Sequence, residues 1–94
     1  MAQTTILAAG QSAANSVDIV VPQYTAFTVA LFSASTIPSA FSFTLYQKTP
    51  SASVKVATLS TETPSLSLTS PGTFFVARPD ISSGGVNVGV FTES

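Results

Sequence analysis

From Ala26 to Phe91, large apolar and small polar residues alternate along most of the chain. Phe41-Ser42-Phe43-Thr44-Leu45 and Ser65-Leu66-Ser67-Leu68-Thr69 set each large side chain two residues from the next, which is the period of a half-buried β-strand. Interrupted by Gly, Pro and small polar clusters, the pattern predicts about eight strands. They run Thr4 to Ala8, Ser16 to Val21, Thr25 to Ser33, Phe41 to Lys48, Ser53 to Leu59, Ser65 to Thr69, Thr73 to Arg78 and Val86 to Thr92.

The punctuation between strands has its own chemistry. Pro22 ends the second strand because it has no N–H for the ladder. Ser70-Pro71-Gly72-Thr73 has Pro second and Gly third, the order of a type II turn, and the Gly- and Ser-rich link from Pro79 to Gly85 suits a hairpin. No stretch carries a helical period. Strands at intervals of roughly 8 to 12 residues without helices predict an all-β fold, a single antiparallel two-sheet sandwich over residues 1–94. Immunoglobulin-like and jelly-roll connections both fit, because alternation does not encode strand order. The inward set is Ile6, Val17, Ile19, Phe27, Val29, Leu31, Phe41, Phe43, Leu45, Val54, Val56, Leu66, Leu68, Phe74, Val76, Val86, Val88 and Val90.

Composition changes the picture in one respect. Charged residues make up 7% of the chain, where an ordinary domain has ~25%, and Ser and Thr stand in for them. Burying a hydroxyl with a partner costs far less than burying a charge, so this surface suits coverage by another subunit; the alternative is a monomer whose hydroxyls reflect β-propensity. With no Cys there is no disulfide framework. Lys48, Lys55 and Arg78 are the only basic side chains and are scattered along the chain, which argues against nucleic acid and against anionic membranes as partners. The start, Met1 to Thr5, has no basic segment, and Ile6 to Ala9 is too short for a signal peptide, so a product made and kept soluble in a cytoplasm is expected.

The catalytic inventory is nearly empty. A serine nucleophile needs an activating base, and without His only Lys48 and Lys55 remain, neither in a recognisable setting. The chain therefore reads as non-enzymatic, with no cofactor and no metal. Asp18, Glu62, Asp80 and Glu93 are widely separated and match no calcium-loop or paired-carboxylate spacing. Arg78 shares an alternation face with Phe74 and Val76, which places it at the mouth of the core, paired with Asp80 or a terminal carboxylate. Val20, Phe32, Tyr46, Leu59, Phe75 and Phe91 fall on the outer faces and form a candidate interface for a homo-oligomer. The alternatives are coverage by the chain's own loops or a register change at a β-bulge; the interface is the favoured reading.

The opening Thr4-Thr5-Ile6-Leu7-Ala8-Ala9-Gly10-Gln11-Ser12 with Ser16-Val17-Asp18-Ile19, and the closing Pro71-Gly72-Thr73-Phe74-Phe75-Val76-Ala77-Arg78-Pro79 with Val86-Asn87-Val88-Gly89-Val90, resemble small β-sandwich virion proteins of tailed bacteriophages, including head-decoration or cement proteins. The resemblance implies a structural protein in the virion, often trimeric, that binds the major capsid protein or another virion protein and stabilises the head. No binding residue of the family carries over. Two other readings stay open: an immunoglobulin-like module recognising a host surface through the loops Ala34 to Ala40 and Pro79 to Gly85, and a tail-associated subunit.

Overall fold

The computed structural model describes residues 3–34, 36–37 and 41–93. Among these, nine strands, β1 (Gln3–Gly10), β2 (Ala14–Asn15), β3 (Ile19–Val21), β4 (Phe27–Ser33), β5 (Ser42–Lys48), β6 (Ser53–Ser60), β7 (Ser65–Leu68), β8 (Gly72–Arg78) and β9 (Val88–Glu93), form two antiparallel sheets. The first has the order β1-β9-β4-β7; the second has the order β2-β8-β5-β6, with β3 also paired to β8. If β2 and β3 are taken as one interrupted strand, each strand is followed by one in the opposite sheet, except at the β5–β6 hairpin. This is the jelly-roll arrangement, one of the two connectivities left open by the alternation.

The interruption between β2 and β3 has a local cause. Ser16 donates its N–H to the Val76 carbonyl at 2.8 Å and accepts the Val76 N–H on its hydroxyl at 2.9 Å, so a side chain replaces a ladder carbonyl. The Val17 N–H then turns to the Ile6 carbonyl of the first sheet, 3.0 Å away. This break flips the expected face: Val17 is 64% exposed, while Ile19 and Val21 are buried.

Strands of the two sheets pack Ile6, Val29, Leu31, Phe43, Leu45, Val76, Val88 and Val90 into one core. Phe27, Phe41, Leu66 and Val86 lie against it partly buried. Three other expectations fail on β6. Leu45 faces Ala57 but Tyr46 faces Lys55, which leaves Val56 as an extra residue in a bulge. The half-period slip buries Leu59 completely, opposite Phe43, and leaves Val54 and Val56 about half exposed at the sheet edge. Leu59 is therefore a core residue and not part of an outer face.

Two of the expected turns are arches between sheets. The link from β7 to β8 crosses the sandwich, so the type II turn at Ser70 to Thr73 does not form, and Gly72 instead opens β8 with φ 152°. A Cβ there would meet Nε2 of Gln47 at 2.9 Å. The link from Pro79 to Gly85 also crosses, replacing the expected hairpin. It drives Ile81 into the end of the core, fully buried, and anchors it by an N–H bond to the Gln11 carbonyl at 2.8 Å. A single 3-10 turn, Ser82–Gly84, completes the arch. Most of the loop expected from Ala34 to Ala40, including Pro38, lies outside the described residues.

Candidate functional site

Alternation along β5 and β8 sends Phe43, Leu45, Phe74 and Val76 into the core and turns Thr44, Tyr46, Phe75 and Ala77 outward. Tyr46 and Phe75 are direct cross-strand partners, and their rings stack with centroids 5.3 Å apart and planes 21° from parallel. Such a pair contributes ~0.5–1.5 kcal/mol beyond the area it covers. Lys48, two residues along the same face, lays its ammonium 5.8 Å from the Phe75 ring centroid. The same ammonium reaches both oxygens of the Asp18 carboxylate, at 2.9 Å and 3.0 Å. Both side chains are about half exposed, so the ion pair contributes at most ~1 kcal/mol, and its consequence is positional: it holds Lys48 across Phe75.

Lys55 joins this face only because of the bulge. Without the extra residue at Val56, Lys55 would lie opposite Gln47 and point toward the core; with it, Lys55 faces Tyr46. Val20, opposite Thr73 on β3 and 64% exposed, completes the face. Both lysines of the chain are thus gathered around one pair of stacked rings.

Of the six candidate interface residues, Val20, Tyr46 and Phe75 lie on this outer face of the second sheet. Phe32 and Phe91 lie on the opposite side of the molecule, on the outer face of the first sheet, with ring centroids 6.1 Å apart in an edge-on arrangement. Phe32 covers Gly89, its cross-strand partner; a Cβ on Gly89 would run into the ring and into the Leu7 carbonyl oxygen at 2.6 Å. The structure therefore divides the expected patch: Phe32 and Phe91, half-buried like Tyr46 and Phe75, lie on the other sheet, and Leu59 is inside.

Arg78 points inward as expected, yet its partners differ. Its Nε donates to the Ser12 carbonyl and its Nη1 to the carbonyls of Ala8 and Val88, each at 2.8 Å. Asp80 is not its partner. The Ser82 backbone N–H and then the Ser82 hydroxyl donate to Oδ1 of Asp80, at 2.9 and 2.7 Å, and hold its carboxyl below the ordinary 3.8. The other expected partner, a terminal carboxylate on Ser94, lies outside the described residues. Glu93 accepts a hydrogen bond from Gln3 at 3.1 Å, and Glu62 is exposed in the β6–β7 connection. Among the described residues no three His, Cys, Asp or Glu side chains cluster as a metal site.

One concavity opens between the edges of β6 and β7, where the sheets separate. Its volume is about 280 Å³, and Leu45, Val56, Leu66, Leu68 and Phe74 line it together with hydroxyls of Ser67, Thr69 and Ser70. No charged side chain of the described residues lines it, so its chemistry is that of an open core.

No family model and no curated protein sequence matches the chain. The crystal structure of Aeromonas hydrophila PliG, a periplasmic lysozyme inhibitor of g-type lysozyme, is similar in fold, with a TM-score of 0.57 and 13% identity over 98% of this chain and 83% of that one. This likeness corrects the expectation of a capsid decoration protein located in the virion: a solved protein similar in fold is a periplasmic inhibitor, not a phage structural protein. The two terminal segments that carried the resemblance supply a jelly-roll edge and a core strand, features of the fold and not of a function.

Proposed function

We propose that this chain is a non-enzymatic protein that acts by covering the surface of another protein, with the outer face of the second sheet as its contact surface. The observation that carries the reading is the ring pair Tyr46 and Phe75 flanked by both lysines. Aromatic side chains with a charged rim are the composition of protein-binding surfaces. Four of the seven charged side chains are engaged in holding the fold: Asp80 caps a turn, Arg78 ties strands together, and Asp18 pairs with Lys48.

PliG, which has a similar fold, is named an inhibitor of g-type lysozyme. That supports binding, without chemistry, as the way such a sandwich works, and it selects a first target. The test is the turnover of a g-type lysozyme titrated with the purified chain and with its Tyr46→Ser/Lys55→Glu variant. Inhibition by the parent that is lost in the variant supports the reading. Inhibition that is equal in both moves the contact surface elsewhere, and no effect from either removes lysozyme as the target.

A further inference from the structure

The register of the second sheet places Asp18, Phe75, Tyr46 and Lys55 in one row across its outer face. Tyr46 is opposite Phe75 on one side and Lys55 on the other, and the pairing of Ile19 with Phe74 sets Asp18 level with Phe75. The row therefore begins with a carboxylate, passes through two stacked rings and ends with an ammonium. Each charge lies one strand outboard of a ring.

A row of this kind complements its own reversal. A twofold axis parallel to the strands, passing between Phe75 and Tyr46, brings the partner subunit's Lys55 over Asp18 and the partner subunit's Asp18 over Lys55. The ring pairs then meet each other at the centre. We propose that this face binds a second copy of the chain, forming an isologous dimer in which residue i meets j and j meets i. The proposal rests on the reading of this face as a contact surface and gives it an occupant when the other protein is absent.

Charge complementarity selects a second copy. Lys55 forms no ion pair with any described residue, whereas Lys48 is already held by Asp18. Glu62 lies in the β6–β7 connection, Asp80 in the β8–β9 arch and Glu93 on the first sheet. Asp18, about half exposed beside Lys48, is therefore the one carboxylate of the described residues that a copy facing this surface offers to Lys55, and in the dimer it is shared between the two ammoniums. The reversal also sets the partner subunit's Lys48 over Thr73 and Val20, not over Lys55, because Lys48 is level with Thr73 in the same register.

Size sets the strength. Four strands at ~4.8 Å spacing and five residues of β5 at ~3.4 Å give a footprint of roughly 300 Å² per copy, below the ~800 Å² per partner of a standard interface. The dimer belongs to the weak class, with a Kd on the order of 10–1,000 µM.

Sedimentation equilibrium of the intact chain from about 10 µM to 2 mM tests this. The expected result is a mass rising from 9.6 kDa toward twice that value. Lys55→Asp should weaken association at least tenfold, and adding Asp18→Lys to it should restore part of the loss, since the two ends of the row then exchange charge while Lys48 loses its own partner. Circular dichroism of each variant controls for folding. A chain that stays monomeric at 2 mM overturns the proposal, as does a trimer, or a dimer indifferent to Lys55→Asp. A monomer whose lysozyme inhibition still depends on Tyr46 and Lys55 would sink the dimer and keep the binding face. A charge-reversible dimer with no effect on lysozyme would keep the dimer and remove that target.

Discussion

Nη1 of Arg78, carried by the second sheet, donates to the Val88 carbonyl of the first at 2.8 Å. With the bonds to Ala8 and Ser12, one guanidinium ties β8, β1, β9 and the β1–β2 link together at the end of the sandwich. Arg78 is 6% exposed, so its loss strands carbonyl oxygens where water reaches them poorly.

Arg78→Ala should therefore destabilise the fold by ~2–4 kcal/mol, the range for several buried acceptors losing a charged donor. In a chain of this size each kcal/mol lowers the melting temperature by ~4–8 °C. Arg78→Lys should recover only part of the loss, because an ammonium lacks the planar fork that serves three separate carbonyls. Thermal denaturation of the three proteins checks the order; equal melting temperatures for the parent and Arg78→Ala would remove the clamp.

Gly89→Ala should be costly for a different reason. The new Cβ would collide with the Phe32 ring and come within 2.6 Å of the Leu7 carbonyl oxygen, so the cost is overpacking, about 1–3 kcal/mol or somewhat more. Adding Phe32→Ala should relieve the ring contact but not the backbone one. A double-mutant cycle by urea denaturation should then show coupling of ~0.5–3 kcal/mol between the two sites, with incomplete rescue.

Alternation along Phe43, Leu45, Phe74, Val76, Val88 and Val90 makes the sandwich and most of its core legible from the order of residues alone. What it misses follows from three local events. A hydroxyl at Ser16 takes the place of a ladder carbonyl and turns Val17 outward; a bulge at Val56 leaves Lys55 on the outer face but turns Leu59 into the core; and Ile81, in a stretch with no period, is pulled into the core by a crossing arch. Each depends on a pairing, with Val76, Tyr46 or Gln11, that alternation does not encode. The same holds for the candidate site. Tyr46 and Phe75 are legible as outward-facing rings, but their stacking and the gathering of both lysines beside them require the strand order. Phe32 and Phe91 are equivalent to them by alternation, and only that order places them on the other sheet.

Ser16→Ala should cost ~1–3 kcal/mol, since the Val76 N–H would lose its partner in a buried setting. Amide hydrogen exchange isolates the effect: protection at Val76 should fall more than at Phe74 or Arg78. Uniform loss along β8 would mean that Ser16 serves only general packing.

The Asp80 carboxylate offers a test by pH. Its folded-state pKa is lowered below 3.8 by the Ser82 N–H and hydroxyl, so the turn it caps is favoured when the group is ionised. That contribution is fully present above the unfolded value and is lost as the pH falls through the folded one. An NMR titration of the Asp80 side chain should give a midpoint below 3.8, and Ser82→Ala should raise it toward that value by removing one donor. The Ser82 amide should lose its downfield shift through the same midpoint, while stability between about pH 5 and 8 should not respond to this group. An Asp80 midpoint at or above its ordinary value would mean that the carboxylate does not cap the arch in solution, and the inward path of Ile81 would then rest on its burial and its bond to Gln11 alone.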